Sequence, residues 1–157
     1  MPQAAAAPAA GERHTLRMER EFKAPPERVF AAFTDPGLLA QWWGPEGAAC
    51  PVCEIDLRIG GKWRTCMRGA MGEHWVSGVY REIAPPRRLA FTWAWEENGV
   101  RGHETVVELE FMAAGRNTRL VLHQRGFDSA DSRDKHNFGW NSSFVCLDQH
   151  LAGAKHG

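Results

Sequence analysis

Gly78-Val79-Tyr80-Arg81-Glu82-Ile83-Ala84-Pro85-Pro86-Arg87-Arg88-Leu89-Ala90-Phe91-Thr92-Trp93 is the stretch from which the rest of the chain can be placed. It reads as two strands, over 74–83 and 88–96, meeting at a Pro85-Pro86 corner, because consecutive prolines lack the amide hydrogens that a sheet ladder needs. Leu89, Phe91, Trp93 and Trp95 alternate with smaller or polar residues, so period two puts four large apolar side chains on one face.

The same punctuation extends outward in both directions. Strands are expected over 50–58 and 62–68 on one side and over 103–112 and 117–124 on the other. Gly60-Gly61, Gly69-Ala70-Met71-Gly72, Asn98-Gly99 and Ala114-Gly115-Arg116-Asn117 mark the turns between strands. Thr105, Val107, Leu109 and Phe111 share a face, as do Thr118, Leu120 and Leu122. Upstream, His14 to Lys23 alternates as a half-buried strand, with Leu16, Met18 and Phe22 on one side.

Ala24-Pro25-Pro26-Glu27 opens a helix with the apolar stripe Val29, Phe30, Phe33. Thr34-Asp35-Pro36 stops it and starts a second short helix carrying Leu38, Leu39, Trp42 and Trp43 up to Gly44-Pro45. Near the C-terminus Asp128-Ser129-Ala130-Asp131 caps a long helix. Its residues Trp140, Phe144, Leu147 and Leu151 are spaced four, three and four, which is one helical stripe. The fold expected is α+β: a curved antiparallel sheet of about seven strands wrapped around one long helix, with two short helices after the first strand.

The 157 residues suit one domain over 14–157. Residues 1–13, mostly Ala and Pro, read as a disordered tail. They lack the basic start and apolar run of a secretory signal, so the expected compartment is the cytoplasm. No apolar stretch approaches the ~20 residues that span a bilayer, so no membrane partner is expected. Lysine plus arginine total 19 and aspartate plus glutamate total 19. Nucleic acid is therefore an unpromising partner, because phosphate binding draws on a basic surplus.

Chemical signatures are sparse. Cys50-Pro51-Val52-Cys53 has C-x-x-C spacing, but no second pair completes a structural zinc site. A redox pair should sit at a helix N-terminus, which lowers the thiol pKa. This pair opens a strand in which residues i and i+3 point to opposite faces, so buried, reduced thiols are expected. Gly60-Gly61-Lys62 lacks the upstream glycine of a phosphate loop, and His103-Glu104 lacks the second histidine of a zincin. No G-x-S-x-G elbow occurs. No catalytic residue, metal or cofactor is expected.

In this order the signatures Lys23-Ala24-Pro25-Pro26-Glu27-Arg28-Val29-Phe30, Thr34-Asp35-Pro36, Trp42-Trp43-Gly44-Pro45, Asp56-Leu57-Arg58 with Gly60-Gly61, Pro85-Pro86, Phe91-Thr92-Trp93 and Gly139-Trp140 are similar to a known pattern. The chain resembles the SRPBCC superfamily, also called START or birch-pollen-allergen-like, over residues 14 to 152. Within it, the chain looks most like homologues of the activator of the 90-kDa heat-shock protein ATPase. The resemblance implies a helix-grip fold with a ligand cavity between sheet and long helix. The eukaryotic activator joins a larger amino-terminal part to such a domain, so a chaperone is a weaker expectation as partner than a small molecule.

Seven tryptophans in so short a chain call for a large shared interior, and rings of that size pack poorly without voids. The pocket-lining candidates are Trp42, Trp43, Trp63, Trp75, Tyr80, Trp93, Trp95, His103, Phe111, Trp140 and Phe144. Trp42 and Trp43 either roof the cavity mouth together or divide between core and turn. Asp56, Arg58 and Glu82 are candidate polar pocket groups; if inward they must pair, and otherwise they are surface ion pairs. His103 is the titratable candidate, by period two from Thr105.

The leading expectation is a binding protein for an apolar or aromatic small molecule, without covalent chemistry. The alternative is a cyclase-like enzyme of the aromatase kind, which requires at least two of His103, Arg58, Glu82, Asp56 and Tyr80 to converge inside the cavity. An exposed sheet edge admits either a monomer or a homodimer.

Overall fold

The computed structural model of the chain describes residues 14–70 and 72–153. The tail expected over 1–13 lies outside the described residues.

Strand β1, Leu16–Phe22, buries Leu16 and Phe22 and turns Arg17, Glu19 and Glu21 outward, where Arg119 donates to Glu19 at 2.7 Å. Helix α1, Pro26–Thr34, takes proline in its first turn and buries Val29, Phe30 and Phe33 as expected. Asp35 caps the next helix by accepting from the Gly37 amide at 2.9 Å. This helix, α2, covers only Pro36–Leu39, so Trp42 and Trp43 follow it in a turn and are not helical.

The sheet strands are β2 Ala49–Ile55, β3 Lys62–Gly69, β4 Gly72–Ala84, β5 Arg88–Glu97, β6 Val100–Arg101, β7 Thr105–Ala114 and β8 Asn117–Arg125. All pairings are antiparallel, in the order β1-β8-β7-β5-β4-β3-β2, with β6 added beside β5. The first and second strands therefore form opposite margins, and α1 and α2 carry the chain between them. Two boundaries differ from the sequence expectation. β2 stops at Ile55 because the chain then folds tightly, with the Gly61 amide on the Arg58 carbonyl at 2.8 Å. β7 begins at Thr105, leaving His103 in the preceding loop.

Helix α3, Ala130–Leu151, begins at Ser129, whose side chain accepts from the Ser132 amide at 3.1 Å. Trp140, Phe144, Leu147 and Leu151 are all buried against the inner face of the sheet. Edge-on ring contacts join the layers: Phe22 with Phe144 at 5.5 Å, Phe30 with Phe111 at 5.2 Å and Phe33 with Trp42 at 4.9 Å. An Arg20–Asp148 ion pair of 2.5 Å ties β1 to the end of the helix.

Two β-bulges reset the alternation. Between Tyr80 and Glu82 β4 holds one residue more than β5, because Tyr80 opposes Phe91 and Glu82 already opposes Ala90. Between Ala49 and Val52 β2 likewise gains a residue against β3, so Cys50 and Pro51 together face Met67.

Gly78 shows how tightly the inner face is packed. A Cβ there would lie 1.8 Å from the Thr92 carbonyl oxygen and 2.6 Å from Trp63 Nε1, so no side chain fits. That absence lets the Trp63 indole lie across the strand and donate to the Thr92 carbonyl at 3.2 Å.

Candidate functional site

The aromatic residues of β3, β5 and α3 converge, and they do so by packing on one another. Trp43 lies 5.8 Å from Trp93, 5.6 Å from Trp140 and 6.3 Å from Trp63, ring centre to ring centre. Trp93 and Trp140 are 5.4 Å apart. This cluster nearly closes the interior: the void among Phe33, Leu39, Trp43, Trp63, Tyr80 and Phe91 is only about 10 Å³.

The remaining space lies toward the start of α3. A cavity of about 450 Å³ has a sheet-side wall of Met67, Trp93 and Trp95 and a floor of Trp43 and Trp140. Gly44 and Pro45 close one side, and Ser132, His136, Gly139 and Ser143 of α3 form the other. That volume falls within the ~300–1,000 Å³ usual for small-molecule sites. Asp131 and Lys135 stand at its rim as an exposed ion pair of 3.1 Å. A second cavity of about 240 Å³, with His103, Thr105 and Phe127 in its wall, shares Trp93, Trp95, Ser132 and His136 with the first.

The polar groups behind these walls are paired with one exception. Trp43 Nε1 donates to Thr65 Oγ1 at 2.9 Å, and Trp140 Nε1 to Gln124 Oε1 at 2.8 Å. Gln124, itself fully buried, donates onward to Thr105 Oγ1 at 2.8 Å. Trp93 Nε1 is buried with no partner among the described residues.

His136 is the titratable group between the two cavities. Trp95 Nε1 donates to its Nε2 at 3.1 Å, which obliges Nδ1 to carry the proton and donate to the Ser132 carbonyl at 2.8 Å. Burial holds the imidazole below the usual histidine range, only partly offset by the Ser132 carbonyl.

The sequence candidates therefore divide. Trp43, Trp93, Trp95 and Trp140 line the main cavity, and His103 lines the smaller one while its ring contacts the Gly126 carbonyl. Trp63 and Tyr80 border only the 10 Å³ void, and burial pushes the Tyr80 hydroxyl up. Trp42, Phe111 and Phe144 are core residues that line neither cavity; Trp42 Nε1 donates to the Ala32 carbonyl at 2.9 Å and pins its turn to α1. Trp43 thus faces the cavity while Trp42 staples the turn.

Four candidates lie elsewhere. Trp75 is on the outer face: it opposes Cys66 and Glu96, and the Arg64 guanidinium stacks 4.1 Å from its ring while pairing with Glu96 at 3.0 Å. Asp56 and Arg58 form an exposed ion pair of 2.8 Å. Glu82, turned outward by its bulge, pairs with Arg88 at 3.1 Å, and Arg88 also reaches Glu110. The convergence that a cyclase-like site would require of His103, Arg58, Glu82, Asp56 and Tyr80 is not formed.

Sequence reading overlooked His136, although a signal existed. It lies four residues before Trp140 and so extends the buried stripe of α3 by one turn. The opposite-face expectation for Cys50 and Cys53 is also corrected, because the bulge in β2 turns both inward against the core.

Among the described residues no helix is long and apolar enough to cross a membrane. No functionally curated protein matches the chain. Among solved structures, the AHSA1 protein of Silicibacter pomeroyi is 37% identical with a TM-score of 0.79, covering 88% of this chain and 97% of that one. A protein of Chromobacterium violaceum is 30% identical with a TM-score of 0.80 over the same shares, 88% and 97%. A protein of Arthrobacter aurescens, at 21% identity, TM-score 0.80 and coverage of 91% and 88%, shares the fold. Residues 23–152 match the family described as Activator of Hsp90 ATPase homolog 1-like protein. With its helix-grip architecture in place, the chain belongs to that family, within the SRPBCC superfamily.

Proposed function

We propose that this protein binds an apolar, aromatic small molecule in the 450 Å³ cavity between sheet and α3. The observation that carries the reading is the wall composition: four indoles and Met67 surround a space that the tryptophan packing leaves unfilled. Flat rings suit it, because aromatic surfaces gain from offset and edge-on contact beyond simple burial, about 0.5–1.5 kcal/mol per pair. The rim pair Lys135–Asp131 is exposed and sits where a polar substituent would emerge.

Thermal-shift screening with flavonoids, polyketide-like aromatics, sterols and fatty acids tests this. The expected result is stabilisation by planar aromatics with quenching of tryptophan emission, both lost when Gly139→Leu fills the cavity. No stabilisation by any apolar class would overturn the reading.

A further inference from the structure

The smaller cavity, about 240 Å³, lies between the end of β5, the loop before β7 and the start of α3. Period two carries Trp93, Trp95 and Glu97 to one side of β5, and all three line this space. The two indoles stand nearly at right angles, 86° between planes with ring centres 5.4 Å apart, and so form a corner. Phe127 and the His136 imidazole, 4.9 Å apart, add a further aromatic side, and Val100 adds an apolar one. The corner is fixed in advance, because Trp95 donates to His136 Nε2 and His136 donates to the Ser132 carbonyl.

The charge in this wall has one sign. Glu97 and Asp128 line the cavity, and no lysine or arginine does. Among the described residues neither carboxylate has an ion-pair or hydrogen-bond partner. The arginines beside the wall in sequence are engaged elsewhere: Arg101 donates to Ser77 Oγ at 3.0 Å and to Glu104 at 3.1 Å, and Arg125 pairs with Glu108 at 3.1 Å. His136 is neutral by virtue of the bond it accepts, and the His103 ring contacts the Gly126 carbonyl. The larger cavity differs, since its Asp131 is matched by Lys135.

Aromatic faces attract cations through the ring quadrupole, tryptophan most strongly, and carboxylates add attraction of the same sign. Among the described residues no three metal-ligating side chains cluster, so the wall does not suit a metal ion. An alkylated ammonium fits it better, because its methyl groups cover apolar rings while its charge meets the acids. We propose that the smaller cavity is an aromatic cage for an organic ammonium group, with Trp93 and Trp95 as its walls and Glu97 and Asp128 as its counter-charges. It adjoins the cavity assigned to an aromatic ligand but takes a different chemical group, so either site can fail alone.

Tetramethylammonium and tert-butanol test this on the full chain, because both carry four groups on a tetrahedral centre and they differ in charge. Titration at constant ionic strength is followed by the indole N–H resonance of Trp95. Tetramethylammonium should saturate the shift with an affinity at least about tenfold above that of tert-butanol. Glu97→Gln combined with Asp128→Asn changes two exposed positions and should erase most of that preference. Gly139→Leu, whose site borders only the larger of the two cavities, should leave it intact. Equal affinities for the two probes, no saturation, an unchanged preference in the carboxylate variant, or loss of tetramethylammonium binding in folded Gly139→Leu protein would each overturn the proposal.

Discussion

The Trp95 indole donates to Nε2 of His136 across 3.1 Å, joining the end of β5 to the second turn of α3 where the two cavities share a wall. One lone pair on one imidazole nitrogen makes this joint, so it exists only while His136 is neutral.

That requirement makes stability depend on pH. With its folded pKa depressed by burial, His136 takes up a proton more readily in the unfolded chain, so stability rises with pH through this window. The contribution is complete above the unfolded histidine value, about 6.5, and declines as pH falls toward the lower folded value. Melting temperature should drop from pH 7 to pH 5 more steeply in the wild type than in His136→Asn, and Trp95 emission should change over the same range. Parallel pH profiles for the two proteins would refute the assignment.

Gly78 leaves no room for a methyl group, with backbone at 1.8 Å from a built Cβ. Gly78→Ala must displace β5 or the Trp63 ring, and a cost of about 3 kcal/mol or more is expected from overpacking against backbone. Urea denaturation measures it directly.

Gly139 presents the opposite case. A Cβ there meets nothing within 4 Å, and the residue sits inside a helix. Gly139→Ala should therefore stabilise by roughly 0.5–1 kcal/mol, the usual penalty of helical glycine. Chemical denaturation with and without an aromatic ligand separates this gain from any loss of binding.

The chain of hydrogen bonds from Trp140 through Gln124 to Thr105 is buried. Gln124→Leu strands the Trp140 N–H and should cost about 2–3 kcal/mol. Adding Trp140→Phe removes the stranded donor, so the double variant should lose less than the sum of the two single changes. Simple additivity in a double-mutant cycle would show that the bond contributes nothing.

Much of this architecture was readable before any coordinates. Leu89, Phe91 and Trp93 on one face of β5, Thr105 to Phe111 on β7, and the Trp140–Leu151 stripe of α3 are buried where their periods put them. Side-chain direction in regular elements follows from backbone geometry alone, and hydrophobic burial then selects the face. The family likeness rested on the same punctuation of Gly, Pro and Trp.

Three features needed the assembled fold. The bulge after Tyr80 sent Glu82 outward and the bulge after Ala49 put Cys53 on the inner side with Cys50, because one inserted residue reverses every face downstream of it. Trp75 packs beneath Arg64 on the outer surface, a choice made by a cross-strand neighbour. The cavity itself is a difference between volumes: rings from β3, β5 and α3 consume the deep interior and leave space beside His136. Local residues specify how each ring is aimed, whereas the gap between rings depends on how far apart the packed layers settle.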